Sequence, residues 1–282
     1  MKVYLSPYRL TPLKRANHSS SLAPKSGVLL KAVLKDATLF ADYFPHENLG
    51  DRGVEEFLQD FKYQKVEYDQ KVLDLLLRDG TFQKLKAKSF LNHKLWDGSP
   101  DPAASVVKYK VMDPQDVGFL PLLQRGVRIR LDCNGLFSKA SFKEFQTCIP
   151  EKSWPLIEYV EDPIRELDWG EIPFPTARDF IQGQGSSYTI YKPNCEFLPV
   201  TDSKIIFSSY LGSDFGRWHS YCELALTGNL ELFHGIITTN FFTQERPVFH
   251  GNYLMGFSPN APEVRKLYSS LSAQPWKHLC SI

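Results

Sequence analysis

Three short apolar segments between Val106 and Pro163 constrain the fold more than any other feature of the chain. They read VVKYKVM, RIRLDCNG and IEYVEDPI, and each of them ends in charged or amide residues. A loop or a polar helical stretch follows each segment. Strands that alternate with such connections are typical of a parallel sheet, and the functional residues of such a sheet lie at the carboxyl ends of its strands. The pattern therefore predicts a parallel β/α sheet with one functional edge.

The polar residues that end these segments are spaced to share a face. Lys108 and Lys110 lie two positions apart, and residues two apart on a strand point to the same side. Asp132 and Asn134 repeat that spacing at the end of the second segment, and Glu161 closes the third. Lysines and carboxylates gathered at one edge predict a pocket that holds a divalent cation beside a lysine base.

The rest of the chain predicts a barrel with two flanking parts. Two strands, at residues 1–10 and 27–36, and two amphipathic helical stretches indicate an α+β cap. From Ser89 the pattern changes to strand–loop and strand–helix units. The predicted fold class is α/β, a modified (β/α) barrel with an N-terminal α+β capping domain. The predicted parts are the cap at 1–88, a catalytic barrel at 89–257 and a C-terminal segment at 258–282 that packs on the cap.

Eight segments are candidates for barrel strands. In chain order they are FLNHKLW (90–96), VVKYKVM (106–112), VRIRLDCN (127–134), LIEYVED (156–162), IPFPTARDF, YTIYKPN, KIIFSSYL and HGIITTNFF. One connecting helix is expected to end at Gly126, and Ser138 is the expected N-cap of the next. Only 13 positions separate Asp179 from Lys192, which is too few for a full-length helix and two strands. The barrel is therefore expected to be eroded on that side.

Composition argues against several other classes of protein. Thirty-three basic and 32 acidic residues give a net charge of +1 without a long run of like charge, so neither nucleic acid nor a membrane is an expected partner. The five cysteines are scattered, which favours a reducing compartment over a disulfide framework or a zinc ribbon. The first residues show no apolar leader segment. We therefore expect a cytoplasmic protein, while its oligomeric state is left open. The partner expected from the site residues considered next is a small-molecule carboxylate.

Three carboxylates recur in phase with the predicted strands. Glu161 lies 29 positions after Asp132, and Asp179 follows 18 positions later, roughly one β/α unit each. Mg²⁺ prefers oxygen ligands in octahedral geometry and leaves positions open for a substrate carboxylate. We therefore expect these three side chains to bind Mg²⁺, with Mn²⁺ as the other candidate. Taken singly, each carboxylate could instead be a helix N-cap or a solvated loop charge.

Two lysines each close an apolar strand, Lys110 on one side of the predicted barrel and Lys192 on the other. Beside a metal ion and a second ammonium, the pKa of a lysine falls toward the range of a general base. Lys108 and Arg130 are the expected cationic neighbours, and they could also hold a substrate carboxylate. Such a pocket suits abstraction of a proton alpha to a carboxylate, with Mg²⁺ stabilising the enediolate. The alternative is that the lysines only extend from the strand ends to solvent.

Taken in order, these motifs resemble the enolase superfamily and, within it, the o-succinylbenzoate synthase family of menaquinone biosynthesis. GVLLKAVL and ADYFPHENLG resemble the domain that closes over the substrate in that family. The matching pieces cover the whole predicted barrel and are KYK (Lys108, Lys110), RLDCN (Arg130, Asp132, Asn134), VEDP (Glu161), ARDF (Asp179), YKPN (Lys192) and SSYLGSDFG (Ser208 to Gly216).

The resemblance implies a reaction and a role for each matching residue. Lys110 would act as base and then as acid in a syn elimination of water from 2-succinyl-6-hydroxy-2,4-cyclohexadiene-1-carboxylate, which gives 2-succinylbenzoate. Lys192 would stabilise the enediolate from the opposite face. The residues implied to bind ligands are Asp132, Glu161 and Asp179 for Mg²⁺, with Asn134 in support, and Ser208, Ser209 and Gly235 for the succinyl tail.

Two other functions remain open at this point. An N-acylamino acid racemase or dipeptide epimerase on the same barrel would use Lys110 and Lys192 for a two-base proton transfer. A degraded barrel that binds a ligand or partner without catalysis is the other, because the units after the fifth strand are short. The seven histidines form no ligand-spaced pair and are expected at the surface or in the core, although His46 in the cap loop could contact substrate.

Overall fold

The computed structural model describes residues 1–15, 21–47, 51–61, 67–86, 88–99, 101–102, 104–181, 183–194, 198–199, 201–227, 230–236, 254–257 and 261–281. Its strands and α-helices are, in chain order, β1 (Lys2–Leu10), β2 (Lys25–Val33), β3 (Thr38–Tyr43), α1 (Val54–Phe61), α2 (Glu67–Phe82), β4 (Lys88–Asn92), β5 (Lys94–Leu95), β6 (Val106–Lys110), α3 (Leu120–Gln124), β7 (Arg128–Asp132), α4 (Lys139–Thr147), β8 (Ile157–Glu161), β9 (Thr176–Arg178), β10 (Tyr188–Tyr191), β11 (Lys204–Phe207), α5 (Asp214–Thr227), β12 (Phe233–His234), β13 (Leu254–Phe257), α6 (Pro262–Ser272) and β14 (Lys277–Ser281).

The N-terminal part is an antiparallel sheet with core residues on both of its faces. Its strand order is β14–β1–β2–β3, so the last strand of the chain pairs with the first. Val28 and Leu30 of β2 point to one face, where they pack with Phe57 of α1 and Leu76 of α2. Leu29 points to the other face and packs in a separate cluster that includes α5. The sheet therefore joins the cap to the barrel.

Strand β3 was not among the predicted strands. Thr38 to Tyr43 pair antiparallel with β2 over their whole length. Leu39, Phe40 and Ala41 are all buried, because both faces of this strand are covered. A strand that is buried on both faces lacks the apolar–polar alternation by which short strands are recognised.

Seven parallel strands form the main sheet of the barrel, in the order β5–β6–β7–β8–β9–β10–β11. Val107, Ile129 and Val160 point outward and pack in one cluster with residues of α3 and α4. The alternate residues of the same strands therefore point into the barrel. This alternation carries Lys108 and Lys110 to the interior, at the carboxyl end of β6.

The two predicted helix boundaries are confirmed. Ser138 caps α4, since its Oγ accepts a hydrogen bond from the backbone N–H of Ser141 and its own N–H donates to Ser141 Oγ. Gly126 follows the short helix α3 with a φ of 75°, a left-handed conformation that glycine adopts without strain.

The sheet closes into a ring through β12. This strand pairs in parallel with β4 on one side. On the other side the N–H of Gly235, just after β12, donates to the carbonyl oxygen of Phe207 at 2.8 Å, at the end of β11. Parallel pairing continues at the bridge between Gly235 and Ser208. The short connections on this side of the barrel therefore do not leave it open.

The predicted first strand, residues 90–96, is divided at His93. The N–H of His93 donates to the carbonyl oxygen of His234 at 2.8 Å, on the β12 side. The next two residues form β5 and pair with β6 instead. Residues 90–96 therefore pair with β12 on one side of the barrel and with β6 on the other. The predicted eighth strand contains His234 of β12, while its residues 237–242 lie outside the described part of the chain.

The expected loss of helices on one side of the barrel is also confirmed. Within the described residues, no α-helix connects β8 to β9, β9 to β10 or β10 to β11. The next helix, α5, is covered instead by the cap and the C-terminal part, and its Trp218 packs with Leu75 of α2 and Val264 of α6. The division at residues 88 and 257 stays a prediction. Among the helices described, none has the length and apolarity that a membrane span requires.

Candidate active site

The strand register brings the first group of predicted residues together. Lys110 of β6 pairs with Asp132 of β7, and Asp132 pairs with Glu161 of β8. Because these positions are adjacent across parallel strands and share the inward face, their side chains converge at the carboxyl end of the barrel.

Lys108 lies between the two carboxylates. Its Nζ is 2.7 Å from Oε1 and 2.8 Å from Oε2 of Glu161, and 2.9 Å from Oδ2 of Asp132. Its ammonium therefore neutralises part of the carboxylate charge in this structure. The sequence led us to expect that it holds a substrate carboxylate, whereas here its partners are the predicted metal ligands.

Asp132 is the most strongly bound carboxylate of the group. Lys110 Nζ donates to its Oδ2 at 2.7 Å, and Asn134 Nδ2 donates to its Oδ1. Asn134 reaches this position with a φ of 49°, a conformation that asparagine tolerates better than most residues. Burial favours the neutral acid, but the charges of Lys108 and Lys110 outweigh it and hold the pKa of Asp132 below its usual range.

The pKa of Glu161 is shifted in the opposite direction. Burial and the nearby negative charge of Asp132 raise the pKa of Glu161 to about 7, against the effect of Lys108. Since Asp132 is in contact with two ammonium groups and Glu161 with one, the first proton taken up by this pair goes to Glu161.

The second group of predicted residues lies beyond the ends of β9 and β10. Lys192 Nζ is 2.5 Å from Oδ2 of Asp179 and 5.4 Å from the centre of the Tyr210 ring. The other oxygen of Asp179, Oδ1, is buried and has no hydrogen-bond partner among the described residues. A buried carboxylate oxygen without a partner is costly unless a ligand satisfies it.

Asp162 positions this second group, and the sequence analysis did not assign it a role. Its carboxylate accepts hydrogen bonds from the backbone N–H groups of Asp179 (3.0 Å) and Phe180 (3.2 Å). Its own φ is 42°, which turns the chain directly after β8. Burial and the charge of Asp179 raise the pKa of Asp162. The Glu-Asp-Pro sequence after β8 is the signal that could have revealed it.

A single cavity connects these groups. Nine of the ten predicted site residues line it, and they are Lys108, Lys110, Asp132, Glu161, Asp179, Lys192, Ser208, Ser209 and Gly235. The predicted residues thus come from seven different strand ends or loops and meet at one place.

Arg130 is the predicted site residue that the structure does not bring to the cavity. It is completely buried, two residues before Asp132 on the same face of β7 and therefore deeper in the barrel. Its guanidinium binds Glu158 at 3.0 and 3.1 Å and His93 at 2.9 Å. All of these partners are protein groups, in contrast with the expected substrate carboxylate.

His46 does line the cavity, as the sequence suggested. Its Nε2 lies 2.8 Å from the carbonyl oxygen of Tyr210, and Lys25 Nζ lies 3.2 Å from its Nδ1. Burial and the charge of Lys25 lower the pKa of His46 to about 3. The imidazole is therefore neutral and connects the cap to the loop after β11.

The donor set fits a hard cation, although the site is not preassembled. Among the described residues, no three carboxylate, histidine or cysteine side chains are gathered closely enough to hold a metal ion. The predicted ligands are each bound to a lysine instead. All of their free donor atoms are carboxylate oxygens, and Oδ1 of Asp179 lacks a partner. Oxygen donors of this kind are what Mg²⁺ prefers.

One curated relative has a similar sequence, and no model of a protein family matches the chain. The relative is the o-succinylbenzoate synthase of Bdellovibrio bacteriovorus, which is 32% identical over 197 residues. The match covers 61% of this chain and 59% of that protein, so the chain spans about three fifths of its length.

Solved structures show what the fold is. The o-succinylbenzoate synthase from Thermosynechococcus elongatus BP-1, complexed with magnesium in its active site, has a TM-score of 0.67 at 14% identity and covers 86% of this chain and 94% of its own. An enolase family member from Agrobacterium tumefaciens with homology to dipeptide epimerases, with sodium and L-Ala-L-Glu bound, also has a TM-score of 0.67, at 12% identity, and covers 91% and 98%. This chain therefore shares its fold with these solved members of the enolase superfamily. The predicted barrel with a capping domain is therefore confirmed.

Several residues of this cavity were not predicted. His93, Leu95, Tyr210 and Leu211 all line it. His93 was expected to be a surface or core histidine, because no second histidine stands at ligand spacing from it in the sequence. Only the closure of the barrel brings it next to β7 and β12.

Proposed function

We propose that this chain is an o-succinylbenzoate synthase that removes water from 2-succinyl-6-hydroxy-2,4-cyclohexadiene-1-carboxylate. The observation that carries the proposal is the meeting of Lys110 and Lys192 with three carboxylates around one cavity. The relative from Bdellovibrio bacteriovorus supports the choice of substrate within the enolase-superfamily fold.

The residues proposed to hold a divalent cation are Asp132, Glu161 and Asp179. Their oxygen donors fit Mg²⁺, and the synthase structure of similar fold holds magnesium in its active site. When bound, such an ion would act as a Lewis acid on the substrate carboxylate and offset the negative charge that develops there. Asn134 holds Asp132 in place through its side-chain amide.

Lys110 is the proposed base and acid. As a neutral amine, it takes the proton from the ring carbon that bears the carboxylate, and the electron pair of that C–H bond moves into the carboxylate to give an enediolate. The same Nζ then returns the proton to the departing hydroxyl group, which leaves as water. Because one group serves both steps, the proton and the hydroxyl leave from one face, and the product is the aromatic 2-succinylbenzoate.

Lys192 is proposed to stabilise the developing negative charge. Its ammonium is placed by Asp179 and by the face of the Tyr210 ring. A fixed positive charge in a cavity partly screened from water lowers the energy of an anionic intermediate more than it would in water. Ser208, Ser209 and Gly235 remain the proposed surface for the succinyl tail.

A coupled absorbance assay for 2-succinylbenzoate tests the proposal. The wild-type protein should be active with Mg²⁺ and inactive with EDTA, and Lys110→Ala and Lys192→Ala should each lose roughly 10²- to 10⁴-fold in kcat. Lys84→Ala is the control, because Lys84 is exposed and outside the cavity. Activity that survives in both active-site variants would contradict the mechanism.

The arrangement also allows a second function, because two lysines at one cavity can serve as two bases. An N-acylamino acid racemase or dipeptide epimerase would exchange the alpha hydrogen of its substrate with deuterium from solvent. Such exchange, without turnover of the cyclohexadiene, would favour that function. A non-catalytic barrel would show neither reaction, and Lys110→Ala would change nothing.

The cytoplasm remains the proposed location. Cys133, Cys148 and Cys222, all within the described residues, form no disulfide. Cysteines outside disulfides are usual in a reducing compartment. The proposed partner is a small carboxylate substrate.

A further inference from the structure

His93 is a buried polar residue of the cavity that the proposed reaction does not use. It lies between β4 and β5, only 6% of its surface is exposed, and it lines the cavity together with Gly235. Its position at the closure of the barrel places Arg130 on one side of the imidazole and the cavity on the other.

The contact with Arg130 determines which imidazole nitrogen carries the proton. Arg130 NH1 lies 2.9 Å from Nδ1 of His93. A guanidinium remains protonated and has only donors, so Nδ1 must be the acceptor. The ring is therefore neutral, and its proton is on Nε2. Consistent with this, burial and the charge of Arg130 lower the pKa of His93 well below its usual value.

Arg130 is itself held firmly. Glu158 accepts from its Nε at 3.0 Å and from its NH2 at 3.1 Å, which is a bidentate ion pair. The ring of Tyr159 lies 4.7 Å from the guanidinium carbon. Such paired hydrogen bonds fix the orientation of a guanidinium as well as its position. The donor that reaches His93 therefore has a defined direction.

The free nitrogen of His93 faces the cavity beside Gly235. A Cβ added at Gly235 would come within 2.9 Å of Nε2 and 2.6 Å of Cε1 of His93. Within the described chain, Nε2 has no hydrogen-bond partner. Ser209 on the same cavity also has a buried Oγ without a partner. Buried polar groups are normally paired, so the unpaired Oγ of Ser209 indicates a ligand that supplies the missing partner, and Nε2–H of His93 is a further donor on the same cavity.

We propose that Nε2–H of His93 donates a hydrogen bond to an oxygen of the succinyl arm of the substrate, and that Arg130 is the positioning residue that sets this tautomer. The inference rests on the proposed function. The substrate has oxygens in its ring carboxylate, its ring hydroxyl and its succinyl arm. The carboxylate is assigned to the lysines and carboxylates, and the hydroxyl must reach Lys110. The oxygens of the succinyl arm are therefore the ones left for His93 to bind.

Kinetics of two His93 variants test the proposal. The amide of His93→Gln can accept from Arg130 through its oxygen and donate to the substrate through its nitrogen, whereas His93→Phe can do neither. We expect His93→Phe to lower kcat/KM by roughly 10- to 100-fold, chiefly through KM, and His93→Gln to stay within a few-fold of wild type. Magnesium affinity should be unchanged in both. His278→Phe, at an exposed histidine of β14, is the control.

An unchanged kcat/KM in a folded His93→Phe protein would overturn the inference. If that variant does not fold, the ¹⁵N spectrum of His93 in the wild-type protein decides. Nε2 should be protonated, and its N–H signal should shift when 2-succinylbenzoate is added. A proton on Nδ1, or a signal that does not move, would overturn the inference. A wild-type protein without synthase activity would instead refute the proposed function, and this inference with it.

Discussion

The two sides of the cavity are held in place in different ways. On the side of β6, β7 and β8, backbone pairing sets Lys110 beside Asp132 and Asp132 beside Glu161. On the other side, Asp179 and Lys192 each stand one position beyond the last residue of a strand. The first side is therefore built by sheet register, and the second by contacts of loops and side chains.

The two sides of the cavity also differ in how many of their polar atoms have hydrogen-bond partners. Both carboxylates of the first side are bound to lysines, and Asp132 also receives a hydrogen bond from Asn134. On the second side, Oδ1 of Asp179 and Oγ of Ser209 are buried without a partner among the described residues. The carboxylates of the first side are therefore paired within the protein, whereas the second side keeps buried oxygens that a ligand can bind.

The largest expected difference between the two sides is in stability. Asp132→Asn removes a charge, 3% exposed, that binds both Lys108 and Lys110, and breaking such a buried cluster should cost roughly 3–5 kcal/mol. Asp179→Asn should cost about 1 kcal/mol or less, because Asp179 binds one lysine and its side chain is 12% exposed. Urea unfolding of both variants measures this. Equal losses would show that the two sides are not held differently.

The loop on the second side depends on Asp162. Asp162→Ala removes the acceptors for two backbone N–H groups, so the carboxylate of Asp179 should lose its position. We expect magnesium binding to weaken by roughly 10- to 100-fold, as is usual for residues that orient metal ligands. Titration calorimetry measures the affinity. Asp162→Asn is the matched control, since it keeps an acceptor and tolerates the positive φ; a loss as large as that of alanine would argue against the role.

The pH dependence of metal binding tests the first side. In the metal-free protein the pKa of Glu161 is raised to about 7, so below pH 7 this carboxylate increasingly holds a proton that a cation must displace. Magnesium affinity should fall by roughly tenfold per pH unit below 7 and become constant above about 8. Calorimetry at pH 6 and pH 8 gives the difference. Glu161→Gln should bind magnesium more weakly, and its affinity should not depend on pH in this range. A wild-type affinity that is the same at pH 6 and pH 8 would exclude competition between magnesium and a proton on Glu161.

The smallest expected effect concerns Tyr210. Its ring lies 5.4 Å from Lys192 Nζ, and a contact of this kind contributes about 0.5–1 kcal/mol. Tyr210→Leu should therefore lower kcat by a few-fold, and Tyr210→Phe, which keeps the ring, should lower it less. The synthase assay compares the two. If Tyr210→Phe lowers kcat as much as Tyr210→Leu does, the hydrogen bond of the Tyr210 hydroxyl to Asp51 matters more than the contact of the ring with Lys192.

The residues of the first side could be predicted because local rules decide them. Lysines two apart on a strand must share a face, and the ends of parallel strands meet at one edge. Arg130 shows the limit of this reasoning. It shares the inward face with Asp132, but the sequence does not reveal that two residues of rise place it below the cavity, against Glu158 and His93.

The sequence by itself determined the strand rhythm, the inward direction of Lys108, Lys110, Asp132 and Glu161, and the type of chemistry that these groups allow. Each of those properties follows from residue types a few positions apart. The tertiary structure alone decided how the barrel closes and which tautomer His93 adopts. It also decided that Asp162 holds the loop of Asp179, because all three depend on groups that meet only after distant strands have paired.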